Sequence, residues 1–499
     1  MERQSKRFSI GKVVAGGFWL YLSSIIDNFS GFIYWMIVSA LVGPTAIGIA
    51  STISSLSGLI TSFLGLGIGT GVIRFFGMFL GSDDKDRLRA YFWTTYIFNL
   101  LIHLGVGVFI LLLGFEGYEF SGITNDMFIF TSFMVIAGLN SIPSSLVTSM
   151  LRTEVIFVSV ILSIFFRFAV GITLISYYSL GWVGAVIGNL IQLYTRLVII
   201  NLYSFRKAPI KIGFSYKALR EVLIAGIPSW LPGLITSIGS LTGILSVYAV
   251  SGALETGYYY VSSAIANIIL MIGTTILSLT FPVLSGMDDG RKRALSQVLK
   301  ISIALIAPPS IYVMFYSWVP LSWLGSEYVN SAPVLTTLLL SSIPLAITSG
   351  VGSLVYAYGK YSLILTINMV TSIVRMVLYY ILIPEYGGLG SAISFTIGSY
   401  AGFLVTLYVA KMIRFIVEWR LLVETVTIPL ILGGVCFVLN VHWLITLTMV
   451  ASSYIIYLKS RIIGRKELRE IMKALHMESL AIKVYNKYGD IINKILGQS

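Results

Sequence analysis

The chain has 499 residues, 57% of them hydrophobic and only 11% charged. Soluble domains carry about 25% charged residues, so a string of soluble domains and a disordered chain are both excluded, and long apolar runs without period-two alternation exclude a β-barrel. The net charge of +13, in so apolar a chain, points to orientation in a membrane and not to nucleic-acid binding.

A polytopic all-α membrane protein remains. At roughly 20 apolar residues per crossing, fourteen spans are predicted. They lie at 14–42, 45–79, 90–113, 123–149, 155–178, 181–204, 221–250, 255–285, 294–318, 333–358, 361–384, 388–411, 421–440 and 442–459. The first, second, seventh and eighth are long and are expected to tilt or to extend past the bilayer. No cleavable signal peptide is expected, because the apolar run from Val13 is long and lacks a small-residue exit.

Charge tests that count. With the N-terminus in the cytoplasm, the inner segments hold Lys85, Arg87, Arg89, Arg152, Arg206, Lys217, Arg291, Lys360 and Lys411. The outer loops hold Glu116, Glu119, Glu255, Glu327 and Glu385, with neither Lys nor Arg. A missed span would break this alternation, so both termini are expected in the cytoplasm of a multi-pass plasma-membrane protein. Beyond Arg461, Leu468, Ile471, Met472 and Leu475 recur at helical spacing among charges. That pattern fits an amphipathic helix on the inner leaflet, or a solubilising tail.

The chain also repeats itself. Residues 146–175 align without a gap on 354–383, with identities that include Arg167 with Arg375, and Arg152 meets Lys360. At nearly the same shift, GPTAIG (43–48) answers GALETG (252–257), and GSDDKDR (81–87) answers GMDDGRK (286–292). Gly181 and Gly184 answer Gly387 and Gly390. Spans 1–6 therefore match spans 7–12. Six is even, so the repeat is parallel, and two such bundles enclose a central cavity. The organisation expected is an N-lobe over 1–205, a cytoplasmic linker over 206–220, a C-lobe over 221–415, spans 13 and 14 within 416–460, and the tail over 461–499.

An ionisable group at the bilayer centre costs about 2.5–3.5 kcal/mol on insertion scales, so the deep ones are candidates. Arg167 and Arg375, superimposed by the repeat, each sit midway along a polar stripe: Ser159, Ser163 and Arg167 in span 5, and Asn368, Thr371, Ser372 and Arg375 in span 11. Span 1 carries Ser23, Asp27, Ser30 and Tyr34 on one stripe, and span 7 carries Ser229, Gly233, Thr236 and Ser240. These stripes are expected to line the cavity. Asp27, the one carboxylate deep in a span, is suited to bind a proton or Na⁺ or to neutralise an arginine. Arg74 and Arg196 are read as secondary cations nearer the cytoplasmic ends of spans 2 and 6, where they can reach headgroups. His103 is read as a packing residue. The pairs Asp83–Asp84 and Asp288–Asp289 recur in the repeat, which suggests turn and cap chemistry instead of catalysis. One cysteine, Cys436, and three scattered histidines leave no disulfide, metal site or cofactor to expect.

Fourteen spans with LVGPTAIGIAS after span 1, GLGIGTGVIRFFG closing span 2, and GWVGAVIG and YGGLGSAI opening spans 6 and 12 resemble the polysaccharide-transport branch of the MATE-like flippase superfamily, with its Wzx-type and archaeal members. The resemblance runs over about residues 8–460. It implies two lobes around a cationic cavity and transport of a polyprenyl- or dolichyl-linked oligosaccharide to the outer leaflet; the facing bundles suit alternating access, and a monomer is expected. The resemblance also implies arginines on the phosphate or pyrophosphate, a role that Arg167 and Arg375 match best, and an extra pair of spans able to groove a lipid tail. Lipid II flippases of the superfamily carry arginines in spans 1 and 8, which this chain lacks. The competing readings are a multidrug or metabolite cation antiporter of the same superfamily and a membrane glycosyltransferase or ligase. Twelve spans with an acidic cavity mark the first, and large outer loops mark the second.

Overall fold

The computed structural model describes residues 10–207, 213–285, 287 and 289–460. The proposed amphipathic tail and Asp288 lie outside them. The described residues are helical, apart from short turns and one isolated bridge between Phe120 and Ile123.

Helix α1 covers Ile10–Leu64 and is interrupted at Gly43, whose φ of 76° suits glycine alone without strain. Pro44 follows, its fixed φ suited to starting a second limb. After a break that includes Leu66 and Gly67, both at positive φ, comes α2 (Ile68–Ser82). The span predicted as continuous over 45–79 is therefore broken. Next are α3 (Lys85–Phe115), α4 (Asn125–Ile136), a 3-10 turn (Ala137–Asn140), α5 (Ser141–Ser149), α6 (Thr153–Ser176) and α7 (Gly181–Lys207). Helix α8 (Tyr216–Ser285) is interrupted at Gly252, with φ 81° and ψ −177° against 76° and 174° at its repeat partner Gly43. Then follow α9 (Arg291–Phe315), α10 (Trp318–Ser322), a 3-10 turn (Ser326–Ser331), α11 (Ala332–Leu339) and α12 (Ser342–Ala357). Helix α13 (Tyr361–Met412) is interrupted at Gly387, and α14 (Trp419–Val438), α15 (Trp443–Ala451) and α16 (Ser453–Lys459) complete the described order.

Among the described residues, nine helices are long and apolar enough to cross a membrane, or ten if the bent pair Ser326–Leu339 and Ser342–Ala357 is one span. Three of the nine measure 49, 62 and 52 residues. Those lengths far exceed the roughly 20 residues of one crossing, and each contains one of the glycine interruptions.

The chain forms two compact units. The first comprises Met1–Ala264, Trp323–Ser331 and Asn368–Gly398. Its interior includes Ile68, Phe76, Phe92, Ile142 and Val222, where α2, α3 and α5 meet the start of α8. Inside this unit the segments GPTAIG (43–48) and GALETG (252–257) touch reciprocally. A Cβ on Gly48 would collide with the carbonyl oxygen of Ala253, and one on Gly257 with that of Pro44. Small residues let helix backbones close to this distance.

The second unit comprises Ile265–Ser322, Ala332–Ile367 and Ser399–Ser499. Its core is built on Leu277, Leu295, Leu299, Ile303, Ile347 and Val351. Helices α14 to α16 are tied in by tyrosines: Tyr316 Oη donates to Val441 O at 2.9 Å, and Tyr457 Oη to Thr425 O at 2.6 Å.

Candidate functional site

The first limb of α1 brings Ser23, Asp27, Ser30 and Tyr34 to one stripe, but they act differently. Ser23 Oγ donates to Trp19 O at 2.6 Å and Ser30 Oγ to Asp27 O at 3.0 Å, so both hydroxyls serve their own helix and both side chains are buried. Tyr34 crosses to α7, where its hydroxyl donates to Ala185 O at 2.9 Å. It is fully buried against Gly171 of α6 and Gly188 of α7.

Asp27 is the charged centre. Its Oδ2 accepts from Arg196 Nη1 at 2.7 Å, and its Oδ1 accepts from Arg196 Nη2 and from Gln192 Nε2, the latter at 3.1 Å. Gln192 and Arg196 stand one turn apart on α7. Arg196 Nε donates to Ser163 Oγ of α6 at 2.9 Å, while Ser163 Oγ donates onward to Val160 O at 2.7 Å. The side chains of Arg196 and Asp27 keep 18% and 34% of their accessibility, so the pair is neither sealed nor fully wet. Arg196 therefore does not reach for headgroups. It is followed by eleven residues of α7, about 16 Å of helix at 1.5 Å per residue, and a deep carboxylate is nearer. Sequence reasoning left out Gln192, although a Gln and an Arg four apart on an apolar helix were its visible signal.

Arg167 lies one turn beyond Ser163 on α6. It is 4% exposed, with its guanidinium 3.9 Å above the Tyr34 ring and 5.6 Å from that of Trp35. Its Nε has no hydrogen-bond partner among the described residues. Arg375 is likewise 4% exposed and stands 3.8 Å above the Phe395 ring. Arg167 and Arg375 are thus each covered by an aromatic face, a favourable cation–π arrangement in a dry site.

The polar stripe of α13 is turned toward α8. Asn368 Nδ2 donates to Pro232 O at 3.2 Å, Ser372 Oγ to Ile235 O at 2.9 Å, and Tyr379 Oη to Gly239 O at 3.0 Å. These residues stitch two helices together, as interhelical polar groups do where water is scarce. Thr371 is half-buried beside them. On α8, Thr236 is exposed and Ser240 half-exposed, each bonded back to its own helix, and Ser229 meets Thr70 of α2 at 3.1 Å. Arg74, one turn past Thr70, is exposed. The sequence stripe missed Ser24 and Asn28, exposed polar residues flanking Asp27.

Other expectations resolve simply. His103 is buried, Nδ1 lies 3.0 Å from Asn99 O, and the ring occupies the space a side chain at Gly138 would need. Asp84 caps α3 by accepting from Arg87 N at 3.0 Å, and Asp289 accepts from Gly290 N at 2.7 Å. An apolar groove of about 730 Å³ lies between α1 and α6, lined by Ile25, Phe29, Ile33, Phe165, Phe168 and Ile172 among others, with Ser30 of the polar stripe at its edge.

Comparison with known proteins adds three findings. The family model described as polysaccharide biosynthesis protein matches residues 37–333. A putative O-antigen transporter of Shigella flexneri is 27% identical over 237 residues, covering 46% of this chain and 56% of that relative. The chain thus spans little more than half the length of the curated relative it matches. Among solved structures, the lipid II flippase MurJ in an inward closed conformation has a TM-score of 0.71 at 15% identity, covering 88% of this chain and 97% of that one. An inward-facing multidrug resistance MATE family transporter of the MOP superfamily has a TM-score of 0.60 at 16% identity, covering 77% and 94%. At these identities the two structures establish the fold.

Proposed function

The chain belongs to the polysaccharide biosynthesis protein family, and we propose that it is a flippase. Its cargo is an oligosaccharide linked to a polyprenyl or dolichyl phosphate or pyrophosphate, moved from the cytoplasmic to the outer leaflet by alternating access. The similarity to an O-antigen transporter and the flippase fold support this reading.

The observation that carries it is the charge held at membrane depth. Arg167, Arg196 and Arg375 outnumber Asp27, so the region favours an anion and disfavours the organic cations of an antiporter. Arg167 and Arg375 are the proposed phosphate-holding pair, reached when their aromatic covers move. Asp27 is the proposed point of any H⁺ or Na⁺ coupling.

The layout goes with the function. The three double-length helices each count as two spans. Together with the bent pair as one span and the shorter apolar helix Trp443–Lys459, they bring the total to fourteen. The matched backbone at Gly43 and Gly252 and the reciprocal Gly48 and Gly257 contacts support two parallel six-span lobes. The protein then works as a monomer with both termini in the cytoplasm. A pyrophosphate-linked saccharide with a fluorescent tag, reconstituted with the protein in vesicles, tests the proposal. Its quenching by an external reductant should be complete with the protein and about half complete in empty vesicles. Equal quenching in both, with exchange of an organic cation, favours the antiporter.

A further inference from the structure

We infer that Arg196 and Gln192 form a receptor for a phosphate oxyanion, and that Asp27 is its resting occupant, displaced when the phosphate of a lipid carrier binds. The inference rests on the flippase reading and gives its anion a first place to land.

The geometry is that of a filled anion site. Three donors, Nη1 and Nη2 of Arg196 and Nε2 of Gln192, converge on one carboxylate. The two receptor residues lie one turn apart on α7, whereas the occupant comes from α1. The fork is aimed independently of Asp27. Arg196 Nε is held at 2.9 Å by Ser163 Oγ, and Ser163 spends its own proton on Val160 O, which leaves its oxygen an acceptor toward the guanidinium. If Asp27 leaves, the planar fork stays in place, matched to two oxygens of a phosphate.

Energetics favour exchange over simple opening. Removing Asp27 with nothing in its place leaves an unpaired cation in a poorly solvated site, which is costly. An incoming phosphate keeps the Arg196 cation paired and its hydrogen bonds made, while the released Asp27 carboxylate, 34% accessible and flanked by the exposed Ser24 and Asn28, turns to water. Side-chain exposures of 18% and 34% leave room for the incoming group. The repeat argues that the arrangement is not a demand of the fold. At the repeat shifts, Asp27 corresponds to Thr236, Gln192 to Gly398 and Arg196 to Gly402. One half of the duplicated framework carries the receptor and the other does not.

The test uses the full chain in lipid nanodiscs with farnesyl phosphate as probe. Asp27→Asn should bind it at least tenfold more tightly than wild type, because the competing carboxylate is gone. Arg196→Gln should weaken binding at least tenfold in both backgrounds and erase the gain from Asp27→Asn, and Gln192→Leu should weaken it several-fold in the Asp27→Asn background. Inorganic pyrophosphate should compete and farnesol should not. An Asp27→Asn variant that binds no tighter, or farnesol competing as well as the phosphate, overturns the inference. Should Asp27→Asn fail to insert, wild type decides: farnesyl phosphate should raise carbodiimide labelling of Asp27 several-fold by mass spectrometry, and unchanged or lower labelling overturns it. Tighter binding by Asp27→Asn without saccharide transport by wild type would sink the flippase reading and leave the receptor standing. Transport without tighter binding would do the reverse.

Discussion

Tyr34 and Tyr379 each fill the space at a helix crossing that a glycine leaves open. Tyr34 of α1 lodges against Gly171 of α6, and Tyr379 of α13 against Gly243 of α8, whose ideal Cβ would stand 2.9 Å from the tyrosine ring. At the repeat shift, Gly243 is the counterpart of Tyr34, and Tyr379 that of Gly171. In the sequence alignment of the repeat, each crossing keeps one tyrosine and one glycine, and which helix supplies which is exchanged. Core volume is conserved while identity at each position is not, which hides the relationship from residue-by-residue comparison.

That exchange predicts a rescue. Tyr34→Gly should cost about 3–5 kcal/mol, the range for truncating a large buried aromatic, and should lower the thermal midpoint in detergent. Adding Gly171→Tyr should recover a large part of the loss, although Gly171→Tyr alone overpacks the crossing and destabilises. Additive losses in the double variant would refute the exchanged packing.

Arg167→Ala and Arg375→Ala should each abolish flipping at unchanged expression, and Lys should restore it only in part. Lysine keeps the charge but loses the planar face that lies 3.9 Å above Tyr34. Initial rates in vesicles, normalised to inserted protein, check this. Full transport by the double alanine variant would remove both residues from the phosphate role.

Gly48→Ala and Gly257→Ala should each cost about 1–3 kcal/mol, as overpacking does, because a Cβ at either site collides with backbone. The pair should cost less than the sum, since the first substitution already separates the two segments. Gly17→Ala, with nothing within 4 Å of its Cβ, is the control and should be neutral. Thermal unfolding of the four variants decides.

Orientation is directly measurable, because the single cysteine, Cys436, is buried. Wild type should resist an impermeant maleimide in intact cells. Glu119→Cys should react from outside, and Lys360→Cys only after lysis, both side chains being exposed. Labelling of Lys360→Cys in intact cells would invert the topology.

Much of this architecture is written in local terms. Apolar runs mark where helices lie, lysine and arginine bias carries the expectation of which loops face inward, and paired glycines and arginines carry that of a duplication. These properties depend on neighbours in the chain and on the solvent each segment meets, so composition and periodicity determine them. Which polar groups meet is another matter. Asp27 and Arg196 are 169 residues apart, and Tyr34 and Ala185 are 151 apart. Periodicity put Ser372 and Asn368 on one face of a helix but could not say whether that face meets water or the carbonyls of α8. In a low-dielectric interior each buried group takes whatever partner the packing brings within about 3 Å. Tertiary structure alone therefore decided that Asp27 is held by Arg196 and Gln192, and that Arg167 is covered by an aromatic ring.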